Sequence, residues 1–250
     1  MKLAITGKGG VGKTTLSATL ALLFSKDGSR IIAIDADPDS NLAATLGFPE
    51  PEKIVPLIDM KELISERTGA QPGSFGSYFK LNPKVDDIPE RYCPEYQGVR
   101  LLAMGGGRKG GSGCFCPEGA FLRSLLAHLL IGRKDVVILD MEAGIEHLTR
   151  GTAQGVDALI VVVEPGKRSV ETAFRIKELA SDLNLRNLFV VGNKVRDHGD
   201  ADFIREHVSD LDLLGLIAYD REMEDQVGAR ALEAIRPIKA CLAERLSRSR

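Results

Sequence analysis

The chain has 250 residues, 44% of them hydrophobic and 27% charged, and a formal net charge of −2. That balance supplies a real core and excludes a disordered, collagen-like or coiled-coil chain. The near-neutral charge leaves no global basic field for nucleic acid or an anionic membrane, and no apolar run approaches the ~20 residues that span a bilayer. Residues 1–7 carry no apolar stretch of signal-peptide length, so the expected location is cytoplasmic.

In chain order, a short strand at 3–6 meets a glycine-rich loop. Residues 14–26 then place Leu16, Leu20, Leu23 and Phe24 at helical spacing. A buried strand follows at 30–35. The segment 49–97 breaks the rhythm with Pro, Gly and charge; it reads as an insertion with a helix at 59–67, too short for its own core. Strands at 99–104, 135–140, 158–164 and 187–193, and a weaker one at 213–217, alternate with helices at 118–131, 169–183, 200–207 and 229–246. Continuous apolar strands between helices predict a doubly wound α/β fold, with a mostly parallel sheet covered on both faces. One domain over 1–250 is expected, with ligands bound at the carboxyl ends of the strands.

The first such end carries the strongest motif. Residues 7–15, Gly7-Lys8-Gly9-Gly10-Val11-Gly12-Lys13-Thr14-Thr15, match G-x-x-x-x-G-K-[ST] between a strand and a helix. The backbone N–H groups of such a loop cradle phosphates, assisted by the helix N-terminus. Lys13 is placed to reach the β- and γ-phosphates and the Thr14 hydroxyl to ligate Mg²⁺. Residues 136–140 are four apolar residues ending in Asp140, the pattern of a Walker B strand that holds Mg²⁺ through water. Behind it, the Gly144 N–H is a candidate sensor of the γ-phosphate, and 145–152 a second switch in which His147 reads as a polar switch residue. A guanine site requires Asn-Lys-x-Asp, but here Asn193-Lys194-Val195-Arg196 places Asp197 one residue late. Asn193 is suited to adenine, so ATP is the expected nucleotide, with loop residues 217–221 also near the base.

The loop's early lysine gives a resemblance. Lys8 makes KGGVGKTT the deviant form of the phosphate loop, similar to the dimeric ATPases that include the MinD and ParA partitioning proteins and the nitrogenase iron protein. The resemblance implies that Lys8 crosses a dimer interface to the partner's nucleotide and, with Lys13, serves hydrolysis. The string DADPDSN at 35–41 resembles that family's first switch, which implies that Asp37 orients the attacking water and that Asp35 or Asp39 helps hold the hydrated metal.

Cys114 and Cys116 form a Cys-x-Cys pair before a helix started by Pro117, with Arg108 and Lys109 near. Alternate residues of an extended segment point the same way, and the helix start favours thiolates. Two ligands are too few for a structural site, but a two-fold axis would bring two pairs together as a Cys₄ site for Ni²⁺ or Zn²⁺. Cys93 reads as an incidental loop thiol and Cys241 as half-buried packing.

Taken together, the deviant loop, DADPDSN, GGSGCFC and AGIEHLTRGT resemble, in that order, the nickel-insertion ATPases of carbon monoxide dehydrogenase maturation (CooC type). The resemblance implies an ATP-dependent homodimer that carries nickel to carbon monoxide dehydrogenase, or to acetyl-CoA synthase in a sister branch. The competing readings are a positioning ATPase, an iron–sulfur carrier like the nitrogenase iron protein, and a nickel GTPase. The first needs a basic or amphipathic surface, and 239–250 offers too little apolar face for firm membrane binding. The second uses cysteines far apart in sequence. The third needs a His where Glu118 stands.

Overall fold

The computed structural model describes residues 1–37, 39–70, 78–105, 117–145, 148–223 and 226–248. Among them, eight strands form one sheet: β1 (Lys2–Gly7), β2 (Ile31–Asp35), β3 (Glu95–Tyr96), β4 (Val99–Ala103), β5 (Val136–Asp140), β6 (Ala158–Val163), β7 (Leu188–Val195) and β8 (Asp212–Ala218). Their spatial order is β3-β4-β2-β5-β1-β6-β7-β8, and every pairing except β3 with β4 is parallel. The helices are α1 (Lys13–Lys26), α2 (Leu42–Leu46), α3 (Lys61–Thr68), α4 (Ile88–Tyr92), α5 (Pro117–Ala127), α6 (Arg150–Ala153), α7 (Lys167–Asp182), α8 (His198–His207) and α9 (Ala229–Arg248). No helix among the described residues is long and apolar enough to cross a membrane.

The strands are apolar on both faces because both faces are covered. Leu3, Ile5, Ile31, Ala33, Ile138, Ile160 and Val162 pack into one core with Leu16 and Leu20 of α1 and Ile235, Ile238 and Leu242 of α9. Their sequence neighbours Ala4, Ile32, Ile34, Val137, Leu139, Leu159 and Val161 face the other core, with Phe121 and Leu125 of α5 and Ala173 and Ile176 of α7. The period-2 alternation of a strand thus divides one apolar run between two cores.

The described residues of the 49–97 segment form no core of their own. Leu57, Leu63, Ile64, Val85 and Ile88 pack into the second core, beside Ile34 and Leu102. Its last residues form the antiparallel edge strand β3, which joins β4 through Gln97 and Gly98, both at positive φ (49° and 73°). That turn is the tight hairpin connection a twisted pair of strands prefers; its short Tyr-Gln-Gly-Val signal is absent from the sequence-based expectation. The helix expected over 118–131 is regular only to Ala127 and finishes as a π turn at His128–Gly132. Cys93 lies in the loop after α4, as expected, but packs against the second core, and burial pushes its thiol up to about 12. Cys241 is partly buried against the first core, as its place in the last helix suggested.

Candidate nucleotide site

Strands β2, β5 and β1 are neighbours, so the loops leaving their carboxyl ends converge. The loop after β1 turns back onto the sheet at Gly7, where a Cβ would lie 2.4 Å from the Val162 carbonyl oxygen. It enters α1 at Gly12, whose φ of +94° and a side-chain neighbour (Asn193 Nδ2, 2.3 Å from an added Cβ) together demand glycine. Val11 between them is fully buried and anchors the loop. With Gly12 as N-cap, no side chain caps α1, so its first N–H groups are left for a ligand. Lys13 opens the helix; it is buried, with Nζ 3.4 Å from the Lys8 carbonyl oxygen.

The two strand-terminal aspartates are register partners across the β2–β5 ladder, Asp35 opposite Asp140. Both are buried, and burial raises both carboxyls: Asp35 to about 7, against N–H donation from Leu42 and Asp37 and with Asp140's charge adding to the rise. Asp140 is raised to about 6, against the Thr14 and Ser17 hydroxyls and the Lys13 ammonium. Asp35 accepts from Asp37 N–H at 3.2 Å and from Leu42 N–H at 3.0 Å, so it braces both ends of the 36–41 loop and is less free to hold a metal than its sequence position suggested. The Asp37 carboxylate faces its own loop, accepting from Asp39 N–H at 3.1 Å. Ser17 Oγ donates to Asp140 Oδ1 at 2.9 Å, while buried Oδ2 has no hydrogen-bond partner. An unsatisfied buried carboxylate oxygen beside Thr14, whose charge burial disfavours, fits a divalent cation such as Mg²⁺.

Lys8 pairs within its own chain, Nζ to Glu164 Oε1 at 3.4 Å. Gly144 is likewise engaged. Its N–H points to the Thr6 hydroxyl (3.2 Å), and that hydroxyl lies 2.7 Å from the Gly144 carbonyl oxygen and 3.0 Å from that of Glu142. Thr6, at the end of β1, therefore clips the loop after β5 to the start of the phosphate loop.

The opposite wall comes from β7 and β8. Asn193 Nδ2 donates to the Val11 carbonyl at 2.8 Å, which leaves its amide oxygen as an acceptor suited to the adenine amino group. Arg196 stacks over Tyr219, 5.3 Å from the ring centre. Ala218, Tyr219, Asp220 and Met223 line this end, where loop residues 217–221 were expected. The cleft between the walls holds about 560 Å³ and reaches from Gly9, Gly10, Gly12, Lys13, Thr14 and Thr15 past Asp37 and Asp39 to Tyr219. It brings these six loop residues, Asp37 and Asn193 to one place, whereas Gly7, Lys8, Val11, Asp140 and Gly144 do not line it. Cys114, Cys116 and His147 lie outside the described residues.

Four contributors escaped sequence reading. Ser17 lay three residues past Thr14, on the same helix face, and that spacing could have found it. Thr6, Glu164 and Lys194 carry no local signal, because their partners are more than 130 residues away.

This fold and loop define a P-loop ATPase of the deviant-lysine class. The chain belongs to the CobQ/CobB/MinD/ParA nucleotide-binding domain family, which it matches over residues 2–230. It is 48% identical over 232 residues to the carbon monoxide dehydrogenase accessory protein CooC of Rhodospirillum rubrum, covering 91% of this chain and 88% of that protein. It is 49% identical over 226 residues to an uncharacterised ATP-binding protein of Methanocaldococcus jannaschii, covering 89% and 87%. Among solved structures, the MinC:MinD complex of Aquifex aeolicus superposes with a TM-score of 0.67 at 21% identity, over 97% of this chain and 95% of that one. MinD of Pyrococcus horikoshii with Mg-ADP gives 0.65 at 19%, over 98% and 96%; both likenesses concern the fold alone.

Proposed function

We propose that this chain is an ATP-driven, homodimeric accessory factor that delivers nickel to carbon monoxide dehydrogenase, or to acetyl-CoA synthase. The observation that carries this reading is the 48% identity with an accessory protein of that dehydrogenase over nearly the whole chain, together with a cleft that gathers phosphate-loop residues, Asp37 and Asn193.

In this reading the loop N–H groups and Lys13 neutralise the phosphates of ATP. Thr14 and Asp140 would hold Mg²⁺, the latter through water, and the ion would supply charge neutralisation for the phosphates of ATP. Asp37 gives up Asp39 N–H and turns its carboxylate to the attacking water. Lys8 leaves Glu164 and reaches the nucleotide of a second copy. Gly144 N–H exchanges Thr6 for the γ-phosphate, which tells the 145–152 segment that ATP is bound. Each exchange replaces a bond inside one chain by a bond to nucleotide, so ATP draws two copies together. Cys114 and Cys116 of each copy then hold one Ni²⁺ or Zn²⁺ as cargo, and hydrolysis changes the affinity of that site. The work is cytoplasmic, without nucleic acid or stable membrane association.

The test is metal content against oligomeric state. Anaerobically reduced protein is loaded with Ni²⁺ or Zn²⁺, with and without Mg-ATP, and passed through size exclusion with elemental detection. A dimer carrying about one metal, lost in Cys114→Ser and Cys116→Ser, supports the bridging site. Metal-free protein unaffected by those substitutions overturns it and favours a positioning ATPase; a visible iron–sulfur absorption band favours a cluster carrier.

A further inference from the structure

In a regular strand, Asn193 and Lys194 would point to opposite faces of the sheet. Here both reach the phosphate loop. Asn193 Nδ2 donates to the Val11 carbonyl at 2.8 Å, and Lys194 Nζ donates to the Gly10 carbonyl at 2.6 Å, 184 residues away in sequence. The backbone explains how. Lys194 has a φ of +59°, a left-handed conformation that a lysine rarely adopts. The β7–β8 register slips at the same point: the step from Gly192 to Val195 faces the shorter step from Leu216 to Ala218, one extra residue on β7. This is a β-bulge, a device that re-aims side chains beside functional sites. Bulge and left-handed residue together rotate a second consecutive side chain into the cleft, which Lys194 lines.

We propose that Lys194 is a positioning residue of the ATPase, whose ammonium clamps the Gly10 carbonyl and holds the phosphate loop in its binding shape before nucleotide arrives. A loop that binds phosphate through its N–H groups must turn its carbonyl oxygens outward, since a carbonyl facing a phosphate repels it. Asn193 and Lys194 take two successive carbonyls, and Lys194 does so with a charged donor, the stronger kind of hydrogen bond. Strain at Lys194 persists because this contact and the bulge over-determine it, which is the usual reason a strained residue survives at a functional site. Lys194 thereby joins the base end of the cleft to its phosphate end.

The proposal makes a demand on the nucleotide-free protein. In Lys194→Met, hydrogen–deuterium exchange over residues 8–12 should accelerate before any nucleotide is added, and the Kd for Mg-ADP should rise about tenfold. The KM for ATP should rise with it, while kcat at saturating ATP changes by less than about threefold, because the loop regains its shape once occupied. Lys194→Gly removes the ammonium and the left-handed strain together. It should melt no lower than wild type yet bind ADP as poorly as Lys194→Met, which separates the clamp from a folding defect. Lys194→Arg, which keeps a donor over Gly10, should recover part of the affinity. Unchanged exchange over 8–12 in Lys194→Met, or faster exchange with an unchanged Kd for ADP, would overturn the proposal.

Discussion

The two walls of the nucleotide cleft are built on opposite principles. On the β2–β5–β1 side, two carboxylates are buried in register, one of them with an oxygen that nothing satisfies. On the β7–β8 side, a partly exposed amide and ammonium have already found their partners on the phosphate loop. The first wall keeps a buried acceptor without a partner in the chain. The second is closed by bonds within the chain. The difference teaches where ligand energy goes: the carboxylate wall gains most on binding, and the clamp wall keeps the ordering cost of the loop low.

The sharpest way to break this contrast is to remove the charge that the carboxylate wall faces. Lys13→Ala should lower kcat/KM for ATP on the order of a thousandfold in a phosphate-release assay, with the chain still folded, since alanine suits a helix start as well as lysine does. Near-normal hydrolysis would show that the loop lysine is not part of the chemistry. Next comes the seam between the walls. Gly12→Ala places a Cβ against Asn193 at a φ of +94°. It should weaken ADP binding about a hundredfold by calorimetry, because both the loop and its support must shift.

The third prediction separates the walls by pH. Asp35 and Asp140 are raised from 3.8 to about 7 and about 6. Between the unfolded and folded values the native state binds more protons than the unfolded chain, so these groups stabilise the fold at low pH and lose that contribution as pH rises. The melting temperature of nucleotide-free protein should therefore carry a component that falls from about pH 4 to about pH 7. Asp140→Asn should flatten the lower part of that fall, and Lys194→Met should leave it alone. A slope unaffected by Asp140→Asn would mean that the carboxylate wall is not desolvated in solution. The smallest effect lies away from both walls. Arg67 makes a two-pronged bond to Asp87 at 2.9 and 3.0 Å, tying α3 to the segment before α4. Arg67→Ala should cost about 1 kcal/mol in denaturant unfolding, a partly solvated ion pair's worth, and leave ADP affinity unchanged.

The carboxylate wall was almost wholly legible in sequence, because each part is a contiguous string. A glycine loop ending in Lys13-Thr14 and two apolar strands ending in Asp35 and Asp140 announce themselves locally. What sequence overstated was the freedom of these groups: Asp35 is spent on bracing its own loop, and Asp37 accepts from Asp39. The clamp wall was half legible. Asn193 was visible through its failed match to a guanine motif, but Lys194 was passed over as part of that failure. The hairpin at 95–100 was missed for another reason: two-residue strands carry no period that a pattern can detect.

Sequence alone determined the alternation of strands and helices, the phosphate loop and the expectation of ATP as the nucleotide. These are short-range properties, set by neighbouring side chains and by the periods of helix and strand. Only the tertiary structure decided that Thr6 holds Gly144, that Glu164 holds Lys8, and that Lys194, at an irregularity in β7, holds Gly10. Those contacts depend on strand order and on a slip in β7–β8 register. Register belongs to a pair of strands, so neither strand's sequence contains it.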